Sequence, residues 1–268
     1  MAGSIFFEAL RRAWRQGLYW GIGLGLLGFY ATVIIQDMDM LKQYQQMFET
    51  LPPVMLQLFG AEDLTAIATP EGFIAFGFYT YGLILLGVFA VLGGLNITAN
   101  DEDSGALDLV LALPVPRWRV VLERFAAYAV VAGIIAFVSY LGVWLGAQLS
   151  GIEFNLARLV EGNINFMPGM LLMIAFTAFA GALLPRKGSA TVLAASFIVA
   201  SYFVNFLGAA ASDSFLANVK GLSFFNYYAS EAVMRDGLNF GNMAILLGAS
   251  ALLVAAAVWL FQRRDVGG

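Results

Sequence analysis

Three consecutive carboxylates, Asp101, Glu102 and Asp103, open the one block of this 268-residue chain whose charge and shape are patterned for a specific contact. The stretch reads NDEDSGALDLVLALPVPRWRVVLER, residues 100–124. After the acids come Gly105, Leu107, Asp108 and Leu109, then Pro114 and Pro116, then Arg117, Arg119 and Arg124. Asp103 or Ser104 can accept hydrogen bonds from the first turn of a helix running from about Gly105 to Leu113. The acids then sit at the positive end of that helix, where carboxylates are favoured. Pro114 and Pro116 end it, because neither can continue the hydrogen-bond ladder. Leu107, Val110 and Leu111 give it an apolar face. Such a surface can pair charges and bury apolar groups against a neighbour; it holds no set of groups for making or breaking bonds. On the residues alone, that neighbour is either a partner or the protein's own membrane surface.

The rest of the chain narrows the chemistry further. It has no His and no Cys, which removes imidazole metal sites, disulfides and thiolate nucleophiles. There is no GxxxxGK[ST] phosphate loop, so ATP is not expected to bind here in that way. The net charge of -4 gives no electrostatic footprint for nucleic acid. The expectation is a chain with no catalytic residues, no metal and no cofactor of its own.

Hydrophobic residues make up 60% of the sequence and charged residues 12%, where an average soluble domain is about a quarter charged. Mean hydropathy is +0.80. The charges fall between long uncharged stretches, each near the ~20 residues that a spanning helix needs. We read six spans, 17–35, 73–97, 125–149, 167–184, 189–210 and 243–261, in one transmembrane domain covering residues 1–268. These runs are continuously apolar rather than alternating, which argues against transmembrane strands. The fold class expected is an all-α integral membrane protein with six transmembrane helices.

Lys and Arg give the orientation. Arg11, Arg12, Arg15, Arg117, Arg119, Arg124, Arg186, Lys187, Arg263 and Arg264 fall on one side, and Lys42, Arg158, Lys220 and Arg235 on the other. The richer side carries both termini and is expected to face the cytoplasm, in the cell membrane. Segment 3–16 reads as a short amphipathic helix lying in the membrane interface, with Ile5, Phe6, Ala9, Leu10, Ala13 and Trp14 on one face. The plainer alternative is a basic flank that only orients the first span. Segment 38–60 has an amphipathic helical pattern that reaches the double proline Pro52–Pro53.

No span contains Asp, Glu, Lys or Arg. Ion-coupled transporters usually carry ionisable groups at that depth, so any uphill movement would draw its energy from another subunit. Gly17, Gly21 and Gly25 recur every fourth residue, which allows close approach of two helices. Packing within the bundle is the favoured use of this stripe, and a subunit interface is the alternative. Phe76, Tyr79 and Asn205 are candidates to line a pathway, although helix packing is the commoner role for such residues.

The stretch DEDSGALDLVLALPVPRWRVVLER resembles the signature of the ABC-2 type permeases, roughly E-x-E-x-G-T-L-E-x-L-L-x-x-P-V-S-R followed by a basic return. Gly105, Leu107, Leu109, Pro114, Val115 and Arg117 carry the match. Asp101, Asp103 and Asp108 replace Glu, Ala106 replaces Thr, and Pro116 replaces Ser. The layout is also similar. Segment 3–16 resembles the family's connecting helix, and 100–124 its coupling helix between spans two and three. The stretch with GLSFFNYYASEAV resembles its outer re-entrant hairpin between spans five and six. The resemblance implies the permease subunit of an ATP-binding cassette exporter, paired with a second permease copy or paralogue and driven by a cytoplasmic ATPase that holds ATP and Mg. It implies that Asp101, Glu102, Asp103, Gly105, Leu107 and Asp108 contact the ATPase, with Pro114 ending the insert and Arg117 anchoring it. Uncharged spans and abundant aromatics suggest a hydrophobic or amphipathic cargo. An ATP-independent channel or membrane scaffold is the alternative.

Overall fold

The computed structural model describes residues 3–35, 38–50, 69–99, 116–210 and 219–263. Regular structure among them is helical throughout, as the sequence predicts for an all-α membrane protein. The elements are α1 (Ser4–Val33), α2 (Met38–Glu49), α3 (Pro70–Ile74), a π-helical segment (Ala75–Thr80), α4 (Tyr81–Thr98), α5 (Arg117–Leu149), α6 (Leu156–Leu183), α7 (Lys187–Ala210), a 3₁₀ turn (Lys220–Leu222), α8 (Phe224–Tyr228), α9 (Ser230–Asp236) and α10 (Phe240–Arg263).

Five described stretches are long and apolar enough to cross a membrane: Pro70–Thr98, Arg117–Leu149, Leu156–Leu183, Lys187–Gly208 and Phe240–Arg263. The remaining long helix, α1, is diluted by Arg11, Arg12, Arg15 and the glycines at 17, 21, 23, 25 and 28. Its backbone does not break where the sequence reading divided segment 3–16 from span 17–35. Gln16 and Gly17 both lie inside one 30-residue helix.

Several helices begin before the apolar run that marks them. The second expected span starts at Pro70 rather than 73, because Thr69 caps it by accepting from the Gly72 amide (3.1 Å) and Pro70 occupies the first turn. The fourth expected span starts at Leu156 rather than 167. Asn155 accepts from the amides of Ala157 and Arg158 there (3.1 and 3.3 Å), and Arg158 pairs with Glu161 three residues on (2.7 Å). Both charges are half-buried, beside the buried Leu159 and Gly162. Pro168 lies within α6 without ending it, which neighbouring helices in a membrane bundle permit.

α1 lies along α5 at backbone contact. The glycine stripe makes this possible: Gly17 and Gly21 face Val131 and Val138, and Gly25 faces Val138, Ser139 and Gly142. The stripe is therefore used inside the bundle, as favoured from the sequence. α6 sits at the centre, with α4, α5, α7 and α10 around it. It buries Phe166, Met170, Met173, Ile174 and Ala178.

Contacts sort the helix ends into two groups. Hydrogen bonds join the start of α5 to the start of α1 and the end of α4, and Thr98 donates to Ala178 near the end of α6 (3.0 Å). This is the end that bears Arg11, Arg12, Arg15, Arg117, Arg119 and Arg124, the basic end. The opposite end holds α3, the π segment, the start of α6, and the short helices α8 and α9, the hairpin end.

Candidate functional site

At the basic end, two neighbouring side chains of α5 grip two other helices. Glu123 accepts from the backbone amides of Gly3 (3.3 Å) and Phe6 (3.1 Å) in the first turn of α1. Arg119, one turn earlier, pairs with the same carboxylate. Arg124 donates to the carbonyls of Asn96 (3.3 Å) and Ile97 (3.2 Å) in the last turn of α4. Asn96 in turn donates to the Tyr128 hydroxyl (2.8 Å). An anion thus meets the positive end of one helix and a cation the negative end of another, the pairing that helix dipoles favour. Residues 100–115, which connect α4 to α5 in sequence, lie outside the described residues.

At the hairpin end, a polar hub is built on the π segment. Tyr79 is fully buried. Its hydroxyl donates to the Leu159 carbonyl (2.9 Å) and accepts from the Asn163 amide (2.6 Å). Asn163 also donates to Leu159 (2.9 Å) and accepts from Ser139 of α5 (3.1 Å). Tyr228 of α8 donates to the Tyr79 carbonyl (2.9 Å), and Asn165 donates to the Tyr228 carbonyl (2.6 Å). Burial, reinforced by the nearby Tyr79, pushes the Tyr228 phenol well above its usual range, so it stays a donor. Thr80 bonds Ser230 at the start of α9 (2.8 Å), and its hydroxyl also reaches back to Ala75 (3.0 Å), five residues earlier, across the widened π turn. π segments inside helices recur at functional sites; this one presents both a side chain and a carbonyl to its neighbours.

Serines fasten the hairpin a second time. Ser201 of α7 accepts from the Phe224 amide (3.0 Å), while Ser223 donates to the Ser201 carbonyl (2.7 Å) and caps α8 at Phe225 (3.1 Å). Phe224 stacks on Phe197 (5.5 Å), which stacks on Phe176 of α6 (3.9 Å). Ala229, between α8 and α9, takes a left-handed conformation (φ 38°), a strained state for a residue other than glycine. It lets Tyr228 and Ser230 both turn toward the π segment.

Asp101, Glu102, Asp103, Gly105, Leu107, Asp108 and Pro114 lie outside the described residues. Arg117 begins α5 and is half-buried. Of the three pathway candidates, Tyr79 sits in the hub. Phe76 is half-buried and edge-on to Tyr81 (5.9 Å), whose hydroxyl bonds Tyr202 of α7. Asn205 lies one helical turn beyond Tyr202 and is also half-buried; its carbonyl oxygen finds no partner among the described residues. Phe76 and Asn205 therefore flank the same α4–α7 contact, whereas Tyr79 faces α6 and the hairpin. The sequence reading missed Asn163, Asn165 and Glu123. The first two were signalled by a pair of amides directly before an apolar run, the third by a lone acid inside a basic one. Among the described residues, no three His, Cys, Asp or Glu side chains are grouped to hold a metal.

Residues 8–262 match the family model described as "Multidrug efflux system permease Rv1217c, C-terminal domain". No curated protein matches the chain. The match spans nearly the whole sequence and agrees with the ABC-2 type resemblance of residues 101–124. On a bundle of long apolar helices with two fastened ends, it makes the chain a transmembrane transport subunit of the permease type, and the chain belongs to the multidrug efflux system permease family.

Proposed function

We propose that this permease is the membrane-embedded half of an ATP-binding cassette exporter, working with a separate cytoplasmic ATPase that binds ATP and Mg. The near-complete family match carries this reading; the channel or scaffold alternative has no comparable support. Residues 17–35, most of them in α1, form the first of six spans, and the basic end with both termini faces the cytoplasm. The start of α1 lies at the interface as a connecting helix. Asp101, Glu102, Asp103, Gly105, Leu107 and Asp108 contact the ATPase, with Pro114 and Arg117 fixing the exit of that segment. A second permease, a copy or a paralogue, completes the route.

The cargo is hydrophobic or amphipathic. The matched family is named for multidrug efflux, and the described helices offer aromatic and aliphatic surface with few charges. Phe76 and Asn205 line part of the route beside the Tyr81–Tyr202 contact. The hairpin helices α8 and α9 close its outer end.

The test is co-purification from mild detergent or lipid nanodiscs. Wild-type protein is expected to bring down an ATPase with a phosphate loop. Gly105→Pro combined with Asp108→Arg is expected to cut its recovery about tenfold or more, equivalent to ~1.4 kcal/mol or more at the contact. A folded double variant that retains the ATPase in full would place the contact elsewhere.

A further inference from the structure

The grip of Glu123 and Arg124 is unusual in what it joins. α1 has no side-chain cap of its own and no acid in its first turn, so the donors left open at its start are met from another helix. The residue that meets them, Glu123, lies 120 positions from Gly3 and 117 from Phe6 in sequence. Glu123 keeps a side chain only 15% exposed and is steered by Arg119. The next residue, Arg124, closes the end of α4. The first two turns of α5 thus hold the start of α1 and the end of α4 at once, each through a charge of the sign its helix end prefers.

We propose that Glu123 and Arg124 are positioning residues that make α1, α4 and α5 move as one lever at the basic end, so that a push there reaches the hairpin end undivided. The proposal rests on the ATP-driven permease reading. α1 is seated on α5 along its length through the glycine stripe, α5 reaches the hub through Ser139, and α4 reaches it through the π segment. Without Glu123 the start of α1 would be uncapped and free to lag behind α5, although the glycine contact would persist further along. Without Arg124 the α4 end would separate from α5.

The chain contains no cysteine, so one introduced thiol can carry a label. Leu222→Cys, at an 82% exposed position on the hairpin end, would report ATP-dependent movement there by fluorophore emission. In the complex with its ATPase, Glu123→Ala is expected to keep ATP hydrolysis within about twofold while losing most of the label response. Glu123→Gln retains an acceptor oxygen and is expected to fall between the two, and Arg124→Leu to resemble Glu123→Ala. In the permease alone, hydrogen exchange at residues 3–7 is expected to speed up about five- to tenfold in Glu123→Ala, the size of a lost helix cap. Unchanged exchange there would overturn the clasp. Faster exchange with a full label response would overturn the lever. A wild-type protein with no ATPase in any lipid would overturn the permease reading and the lever with it, while the exchange result on the isolated chain would still report the clasp.

Discussion

Gly142→Ala is expected to lower the stability of the folded bundle far more than Gly133→Ala, the glycine of α5 whose added methyl would meet only a side chain, that of Met167. The new Cβ would overlap the carbonyl oxygen and carbonyl carbon of Gly25 and lie 2.6 Å from its Cα. Every one of those atoms is backbone, so no rotamer change relieves the overlap. α1 and α5 would have to separate along their shared seam, which also includes Gly146 against Phe29 and Thr32. Overpacking costs ~1–3 kcal/mol where side chains can yield, and this site belongs at or beyond the top of that range. Gly23→Ala is the matched control: it lies on α1, and its Cβ meets nothing within 4 Å. Replacing an open helical glycine removes a cost of ~0.5–1 kcal/mol, so that variant should be neutral or slightly more stable. Unfolding in mixed micelles, followed by circular dichroism, separates the two. Equal midpoints for Gly142→Ala and Gly23→Ala would mean that the α1–α5 contact is not this close in the membrane.

That seam also shows where sequence stops being enough. Gly17, Gly21 and Gly25 declare a close helix contact through their spacing alone, and the structure places them in one. Gly142 and Gly146 have the same four-residue spacing, but spacing does not say which two stripes meet. The hub was hidden for a different reason. Arg158, Glu161 and Pro168 look like the edge of a membrane span, so Asn163 and Asn165 fell outside the span drawn from hydropathy. In the fold the two charges neutralise each other, the helix runs through the proline, and both amides are buried with their hydrogen bonds met. Glu123 was hidden by distance along the chain: it stands out locally as the one acid in a basic run, but its partners lie at the N-terminal end of α1, which no local pattern reveals. The motif at 101–117 worked the other way. It identified the family from residue types, while all of it before Pro116 lies outside the described residues.

Asn163→Asp is expected to disable the hub without changing its shape. The two side chains have nearly the same volume, so packing against Ser139, Leu159 and Tyr79 is preserved. What changes is the sense of the hydrogen bonds. The Asn163 amide donates to two oxygens, Tyr79 at 2.6 Å and Leu159 at 2.9 Å; a carboxylate would face both with oxygen. Tyr79 can turn its proton to the new group only by abandoning Leu159. An ionised group left in that buried site lacks a cation, since the nearby charges Arg158 and Glu161 already pair with each other. Leaving buried groups unmatched costs ~1–3 kcal/mol each, and more when one is charged, so a loss of about 3 kcal/mol or more is expected. Asn163→Leu should cost less, ~1–2 kcal/mol, because Tyr79 can still donate to Leu159 and Ser139 to Ala136. The order Asp worse than Leu is the signature of a dry, fully matched hub, since a wet cleft would accept the charge and reject the apolar side chain. The same comparison extends to transport: Tyr79 binds Tyr228 through its carbonyl, so disturbing the π segment should loosen α8 as well, and protease cleavage within residues 219–237 should rise in parallel with the loss of stability. If cleavage there is unchanged while stability falls, the hub supports the bundle but does not hold the hairpin.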